Sequence, residues 1–168
     1  MWRAIEEAKV VTKPAVIAVI DSGFLPETGI DEFPPDSYVF IDWIEPGNTQ
    51  AKDTETNSHG TNVSGIIGAA NNGEGTNGLI SGVEALDHRL LVYRTGIGGG
   101  RLSSSAITAS MGDIIARKDS VLAVNMSFGA QYCGSTTYFK RHAKYWKNLF
   151  SRAPDVLFVA AAGNSGFR

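Results

Sequence analysis

The residues best suited to chemistry are an imidazole, a carboxylate, a hydroxyl and a carboxamide, each at the edge of an apolar run. His59 opens the stretch Ser58-His59-Gly60-Thr61-Asn62-Val63-Ser64-Gly65-Ile66-Ile67-Gly68-Ala69. Val63, Ile66, Ile67 and Ala70 fall at i, i+3, i+4 and i+7, the spacing of one helix face. Asn57 and Ser58 are good N-cap residues, so the histidine belongs to the opening turn. Unpaired N–H groups and partial positive charge at a helix start disfavour imidazolium, which would keep His59 neutral and ready to accept a proton. A lone histidine is more often structural than catalytic, so its neighbours must decide.

Asp21 ends the run Ala15-Val16-Ile17-Ala18-Val19-Ile20, Ser127 follows Val121 to Met126, and Asn164 closes the segment that begins at Asp155. The carboxyl ends of parallel strands are where α/β sheets place their chemistry. A turn-forming aspartate before Ser22-Gly23 is the plainer reading of Asp21. Helix starts lie at the same end of such sheets, so Asp21, His59, Ser127 and Asn164 are expected to gather on one rim.

A scaffold must hold them there. Ala15 to Ile20 is continuously apolar and β-branched, as in a strand buried on both faces of a parallel sheet. Arg89 to Tyr93, Val121 to Met126 and Asp155 to Ala161 read the same way. A short strand at Tyr38 to Trp43 interrupts an irregular excursion from Phe24 to Asn57, which carries Pro26, Pro34, Pro35 and Pro46 and is expected on the surface. Helices are predicted over residues 2 to 10, before Pro14, and from His59. Two more follow, at Ser103 to Arg117, with Ile107, Met111, Ile114 and Ile115 on one face, and at Thr136 to Ser151. In the last, Phe139, Ala143, Trp146 and Phe150 are expected inward, Lys140, Arg141, Lys144 and Lys147 solvated, and His142 at the surface. Gly60, Ser64 and Gly68 form a small-residue stripe that permits close packing. The alternation predicts an α/β domain over residues 1 to 168, a parallel sheet with helices on both faces.

Composition narrows the partners. The chain has 168 residues, 43% of them apolar, enough to bury a core, and a net charge of −2 that points to neither nucleic acid nor an anionic membrane. No apolar run reaches membrane-spanning length, and the first residues lack a signal-peptide pattern, so either the protein is intracellular or a targeting segment lies outside this chain. Cys133 is the only cysteine, which excludes an internal disulfide. Gly98, Gly99 and Gly100 hint at a phosphate cradle, but no G-x-x-x-x-G-K-[ST] pattern is present.

Four blocks resemble the subtilisin-like serine proteases, the subtilases. Val16 to Gly23 is similar to the family's aspartate block, and His59 to Ala69 to its histidine block. Val124-Asn125-Met126-Ser127-Phe128-Gly129 looks like the substrate-binding strand, and Val159 to Asn164 like the segment that ends in the oxyanion asparagine. The blocks stand in the family's order across nearly the whole chain. The resemblance implies that Asp21 accepts the Nδ1–H of His59, that His59 is general base and then general acid, and that Asn164 donates to the developing oxyanion. It further implies an extended polypeptide substrate, held by Gly100-Arg101-Leu102 on one side through main-chain hydrogen bonds. Ser127, Phe128, Gly129, Ala161 and Gly163 would line the other side. A secreted or extracytoplasmic location is implied by the resemblance alone.

Departures from the family pattern set the alternatives. Asn62 stands where the family often has a second histidine. The loop Asn71 to Gly82 lies where many members bind calcium, yet it has few acidic groups, and a solvated Gly/Asn turn is the plainer expectation; no cofactor is required. The family's Gly-Thr-Ser-Met-Ala block is absent, and Ser22, Ser127 and Ser103 to Ser105 are poor substitutes. The expectation is therefore a fragment of a serine endopeptidase, inactive alone, whose partner is the missing C-terminal part of the same domain, so that the sheet is incomplete on that side. The nucleophile is expected roughly 50–80 residues further on, after Asp and His in the chain. A non-catalytic peptide-binding relative is the first alternative. A nucleotide-binding or phosphoacceptor domain using Asp21 and the triple glycine is the second, and it leaves Asn164 and the histidine helix unexplained.

Overall fold

The computed structural model describes residues 15–26, 32–50, 52–81, 88–129 and 136–164. The helix expected over residues 2 to 10, and Cys133, lie outside them. Five described strands form one parallel sheet: β1 (Ala15–Asp21), β2 (Tyr38–Asp42), β3 (His88–Arg94), β6 (Val121–Met126) and β7 (Leu157–Ala160). Their order is β2-β3-β1-β6-β7, which puts β1 at the centre. A short antiparallel hairpin, β4 (Gly96–Gly98) and β5 (Arg101–Leu102), follows β3 directly.

Among the described residues three α-helices flank the sheet: α1 (His59–Gly68), α2 (Ser104–Ala116) and α3 (Thr136–Phe150). Alternation along each strand assigns their faces. Val19, Leu90 and Val92 pack with Phe24, Phe33 and Ala69, against which Val63 and Ile67 of α1 rest. Ala18, Ile20, Leu91, Tyr93, Val124 and Met126 face the other way, onto Met111 and Ile114 of α2 and onto Trp146, Leu149 and Phe150 of α3. Helices thus cover both faces, as expected of an α/β domain.

Several local expectations need correction. In α1 the buried positions are Gly60, Ser64, Gly65 and Gly68, while Ile66 is 66% exposed. The small-residue stripe meets the sheet most closely, with Val63 and Ile67 of the apolar stripe half-buried beside it, because it lets the helix axis come closer: a methyl group on Gly68 would press on Leu90. In α3 only part of the expected inward side is seated: Trp146 and Phe150, joined by Leu149, pack on the core as expected. Phe139 and Ala143 are exposed, whereas His142, expected at the surface, is half-buried. The stretch from Phe24 to Asn57 is not wholly superficial either, since Phe24 and Asp42 are buried. At the sheet's edge, Leu157 of β7 is 63% exposed although its segment reads as a buried strand. Among the described strands β7 has only β6 beside it, and of its residues only Phe158 reaches the core.

Candidate active site

The rim is assembled from the centre of the sheet outward. β1 ends in Asp21, and its carbonyl is tied down by the backbone N–H and the hydroxyl of Thr95, both at 2.9 Å. The buried Asp21 carboxylate accepts the Ser22 N–H on Oδ1 at 2.7 Å. The same oxygen lies 2.7 Å from Nδ1 of His59. In the tautomer with the proton on Nδ1, the ring donates to Asp21, and Nε2 keeps a free lone pair. The His59 side chain is 45% exposed, so this lone pair is accessible from solvent.

The start of α1 is held differently from the expectation. Ser58 adopts left-handed angles (φ 50°, ψ 48°) and caps nothing with its hydroxyl. The Gly60 N–H donates instead to Oγ of Ser22 at 2.9 Å, and the Thr61 N–H to Oδ2 of Asp53 at 3.0 Å. Asp53 also accepts the Thr61 hydroxyl at 2.8 Å and the Ser22 hydroxyl at 2.7 Å. A carboxylate at a helix N-terminus satisfies orphan donors and complements the dipole. Ser22 and Asp53 thereby lace the turn carrying His59 to the strand end carrying Asp21. Gly60 permits the approach: a Cβ there would overlap the Gly23 carbonyl and stand 3.1 Å from Cβ of Asp21. Asp53 was not singled out from the sequence. Its only signal is an acidic residue in the polar run before the helix, and its partner Ser22 lies 31 positions away.

The expected peptide-binding segments flank this pair. β5 holds Arg101 and Leu102 after a turn in which Gly98, Gly99 and Gly100 all have positive φ, at 85°, 63° and 68°. The Gly100 N–H donates to the Glu55 carboxylate at 3.0 and 3.1 Å, which braces the hairpin against the segment before His59. Ser127, Phe128 and Gly129 leave the end of β6, and the Ala161 N–H donates to the Met126 carbonyl at 3.1 Å. Ala161, Gly163 and Asn164 leave the end of β7 and are exposed. The five strands of the main sheet being parallel, Asn164 and Ser127 lie on the rim that carries Asp21 and His59. Only Asp21 and His59 are joined by a direct hydrogen bond.

The described serines nearby are engaged elsewhere. Ser22 bonds Asp53, Ser64 bonds the Gly60 carbonyl, Ser103 caps α2, and Ser127 donates to Asn125 at 2.8 Å. In the loop beyond α1, the Glu32 carboxylate accepts the Thr76 N–H at 2.6 Å. Among the described residues no cluster of three or more His, Cys, Asp or Glu side chains is placed to hold a metal ion.

The sheet order, the Asp–His contact at its centre and the helix that presents the histidine define the class of protein, and sequence comparison gives the family. The profile of the Subtilase family, Peptidase S8, matches residues 12–167, and the chain belongs to that family. No curated protein matches it. Among solved structures, it is similar to a cold adapted subtilisin-like serine proteinase, with 21% identity and a TM-score of 0.56 over 91% of this chain and 48% of that one. It is also similar to the prenylagaramide maturation protease PagA, with 19% identity and a TM-score of 0.54 over 90% of this chain and 47% of that one. A third is the psychrophilic subtilisin-like protease Apa1 from the Antarctic psychrotroph Pseudoalteromonas sp. AS-11, with 25% identity and a TM-score of 0.57 over 90% of this chain and 32% of that one. The chain therefore spans less than half the length of each of these proteins. No helix among the described residues is long and apolar enough to cross a membrane.

Proposed function

We propose that this chain is the Asp–His portion of a subtilase-type serine endopeptidase, whose nucleophilic serine is supplied by further residues of the same catalytic domain. The observation that carries the reading is the 2.7 Å contact between Nδ1 of His59 and Oδ1 of the buried Asp21. With Nδ1–H directed at Asp21, Nε2 takes the proton of a serine hydroxyl as that oxygen attacks the scissile carbonyl. It then returns the proton to the leaving amine. Asp21 fixes the tautomer and stabilises the imidazolium formed in between. Asn164 would donate its amide N–H to the tetrahedral oxyanion; loss of the equivalent donor in a subtilisin costs about 2.7–4 kcal/mol, a magnitude borrowed from that enzyme and not worked from this structure. An extended substrate would add along Arg101 and Leu102 on one side and Ser127 to Gly129 on the other. The exposed apolar side chains of Ile66, Leu157 and Val159 support a further layer of the domain on the α1 side.

A fluorophosphonate probe, which labels only an activated serine, tests this. The 168-residue chain should not react, whereas a chain extended through a Gly-Thr-Ser block should. Labelling should vanish in His59→Ala and fall steeply in Asp21→Asn. A stop codon directly after Arg168, with peptide affinity indifferent to His59→Ala, would instead establish the non-catalytic peptide-binding alternative.

A further inference from the structure

One carboxylate outside the Asp21–His59 pair collects four donors. Each oxygen of Asp53 takes one hydroxyl and one backbone N–H. Oδ1 accepts the Ser22 hydroxyl at 2.7 Å and the Glu55 N–H at 3.2 Å. Oδ2 accepts the Thr61 hydroxyl at 2.8 Å and the Thr61 N–H at 3.0 Å. The main chain fixes where this carboxylate sits: Asp53 forms an antiparallel β-bridge with Gly23, and the Phe24 N–H donates to the Lys52 carbonyl at 3.1 Å. Among the described contacts Asp53 bonds neither Asp21 nor His59.

The two hydroxyls carry its influence further. A carboxylate can only accept, so each hydroxyl commits its single proton to Asp53 and turns a lone pair elsewhere. The donor that meets this lone pair comes in each case from the opposite segment. Ser22, just past β1, accepts the Gly60 N–H of α1 at 2.9 Å. Thr61 of α1 accepts the N–H of Leu25, further along from β1, also at 2.9 Å. The strand end and the helix start are therefore crossed twice, in opposite directions, and both crossings take their polarity from one side chain.

We propose that Asp53 is a positioning residue for His59, acting through the hydroxyls of Ser22 and Thr61, whose direction it sets. The inference rests on the pairing of Asp21 with His59. Ser22 follows Asp21 and Gly60 follows His59, so the Gly60–Ser22 bond and the 2.7 Å His59–Asp21 contact are adjacent rungs between the same two pieces of backbone. Turning the Ser22 hydroxyl away releases the rung next to the imidazole. What Asp53 supplies is a direction, which a side chain of the same shape does not replace.

Asp53→Asn tests direction at constant shape. Whichever way the amide is turned, its NH2 stands where an oxygen faced a hydroxyl and an N–H, so one hydroxyl loses its acceptor and one N–H its partner. In the 168-residue chain, the NMR resonance of the His59 Nδ1 proton reports the bond to Asp21, and amide hydrogen exchange reports the Gly60 and Leu25 bonds. Asp53→Asn should speed exchange at both amides roughly three- to tenfold, and should broaden the Nδ1 resonance or move it upfield in molecules that remain folded. Leu25 is the telling site, because it bonds Thr61 and not Asp53. Were Asp53 a prop for the fold alone, the melting temperature would drop while the resonance and the Leu25 amide stayed as in the parent, and that result overturns the proposal. Thr61→Ser keeps the hydroxyl and should keep both signals, whereas Thr61→Val, of nearly the same shape, should lose the Leu25 protection and disturb the resonance. Equal behaviour of these two variants refutes the proposal even if Asp53→Asn does not fold. Asp21→Asn separates the two levels of inference. If that change leaves the resonance in place, the pairing itself is wrong; if it removes the resonance while Asp53→Asn and Thr61→Val keep it, only the role of Asp53 fails.

Discussion

Gly60 offers the sharpest test of how the site is held. In most helices, glycine to alanine stabilises by about 1 kcal/mol, because alanine loses less backbone freedom on folding. Gly65 in α1 should follow that rule, since an added Cβ would meet nothing nearer than 3.9 Å. Gly60 should not. Its Cβ would overlap the Gly23 carbonyl oxygen and stand 3.0 Å from the Gly23 nitrogen, both backbone atoms with no side-chain freedom to yield. Overpacking in such a place costs about 1–3 kcal/mol, and the forced shift also opens the Ser22 bond to the Gly60 N–H. A net loss of about 2–4 kcal/mol is expected, which for a domain of this size lowers the thermal midpoint by about 4–16 °C at 2–4 °C per kcal/mol. Thermal unfolding followed by circular dichroism, with Gly65→Ala as control, measures it. The His59 Nδ1 proton resonance should broaden or move upfield in Gly60→Ala as the ring leaves Asp21. If Gly60→Ala melts within a degree of the parent and keeps that resonance, the close approach of α1 to β1 is not what positions the histidine.

Four more outcomes follow from the same geometry. Tyr93 is buried and donates to Oδ2 of Asp113 at 2.7 Å, and burial first, then that carboxylate, pushes its phenol well above its ordinary value of 10.0. The folded state thus retains a proton that the unfolded chain gives up, so denaturant titrations should show stability falling as pH rises above 10, and Tyr93→Phe should flatten that limb. Asp42 is held below its ordinary 3.8: burial works against ionisation but is outweighed by the Glu45 N–H, Arg94, Asn48 and the Ile44 N–H. Asp42→Asn should therefore cost about 3 kcal/mol or more at neutral pH by stranding Arg94, and the gap to the parent should close as pH falls below 3.8. Asp53→Ala removes the acceptor for both Thr61 donors and should cost about 1–2 kcal/mol in urea unfolding, with hydrogen exchange accelerated at Gly60 and Thr61. Because Glu32 already fastens the loop at Thr76, added calcium should leave the thermal midpoint unmoved; a rise of several degrees would show that the loop takes the ion.

What could be read from the residues differs by kind of interaction. The apolar strands and the alternation with helices were plain, because burial on both faces leaves a continuous run such as Val121 to Met126, and the strand there has those bounds. The rim followed from topology, since parallel strands must end together. The capping of α1 was misread because the motif rule looks one or two residues upstream. Its real acceptors come from Ser22, 38 positions earlier, and Asp53, 8 earlier, a long-range choice that local propensity does not encode. The inward face of α3 holds at Trp146 and Phe150 and fails at Phe139 and Ala143, because the helix packs through Trp146, Leu149 and Phe150 near its end, and periodicity over the whole helix averages a seated part with an exposed one. That Asp42, Arg94 and Asp21 end neighbouring strands side by side is invisible without register, because they stand 21 to 73 positions apart.

The sheet order divides the rim into unequal parts. Asp21 belongs to a strand with neighbours on either side, and so it sits where opening requires breaking two ladders. Among the described strands, Asn164 extends from one that is paired along one side only, the kind of margin that frays first. Stiffness is thus concentrated under the proton-handling pair, while the amide donor inherits whatever order its strand receives from its open flank. Anything that docks along that flank would tighten one end of the site and leave the other as it was.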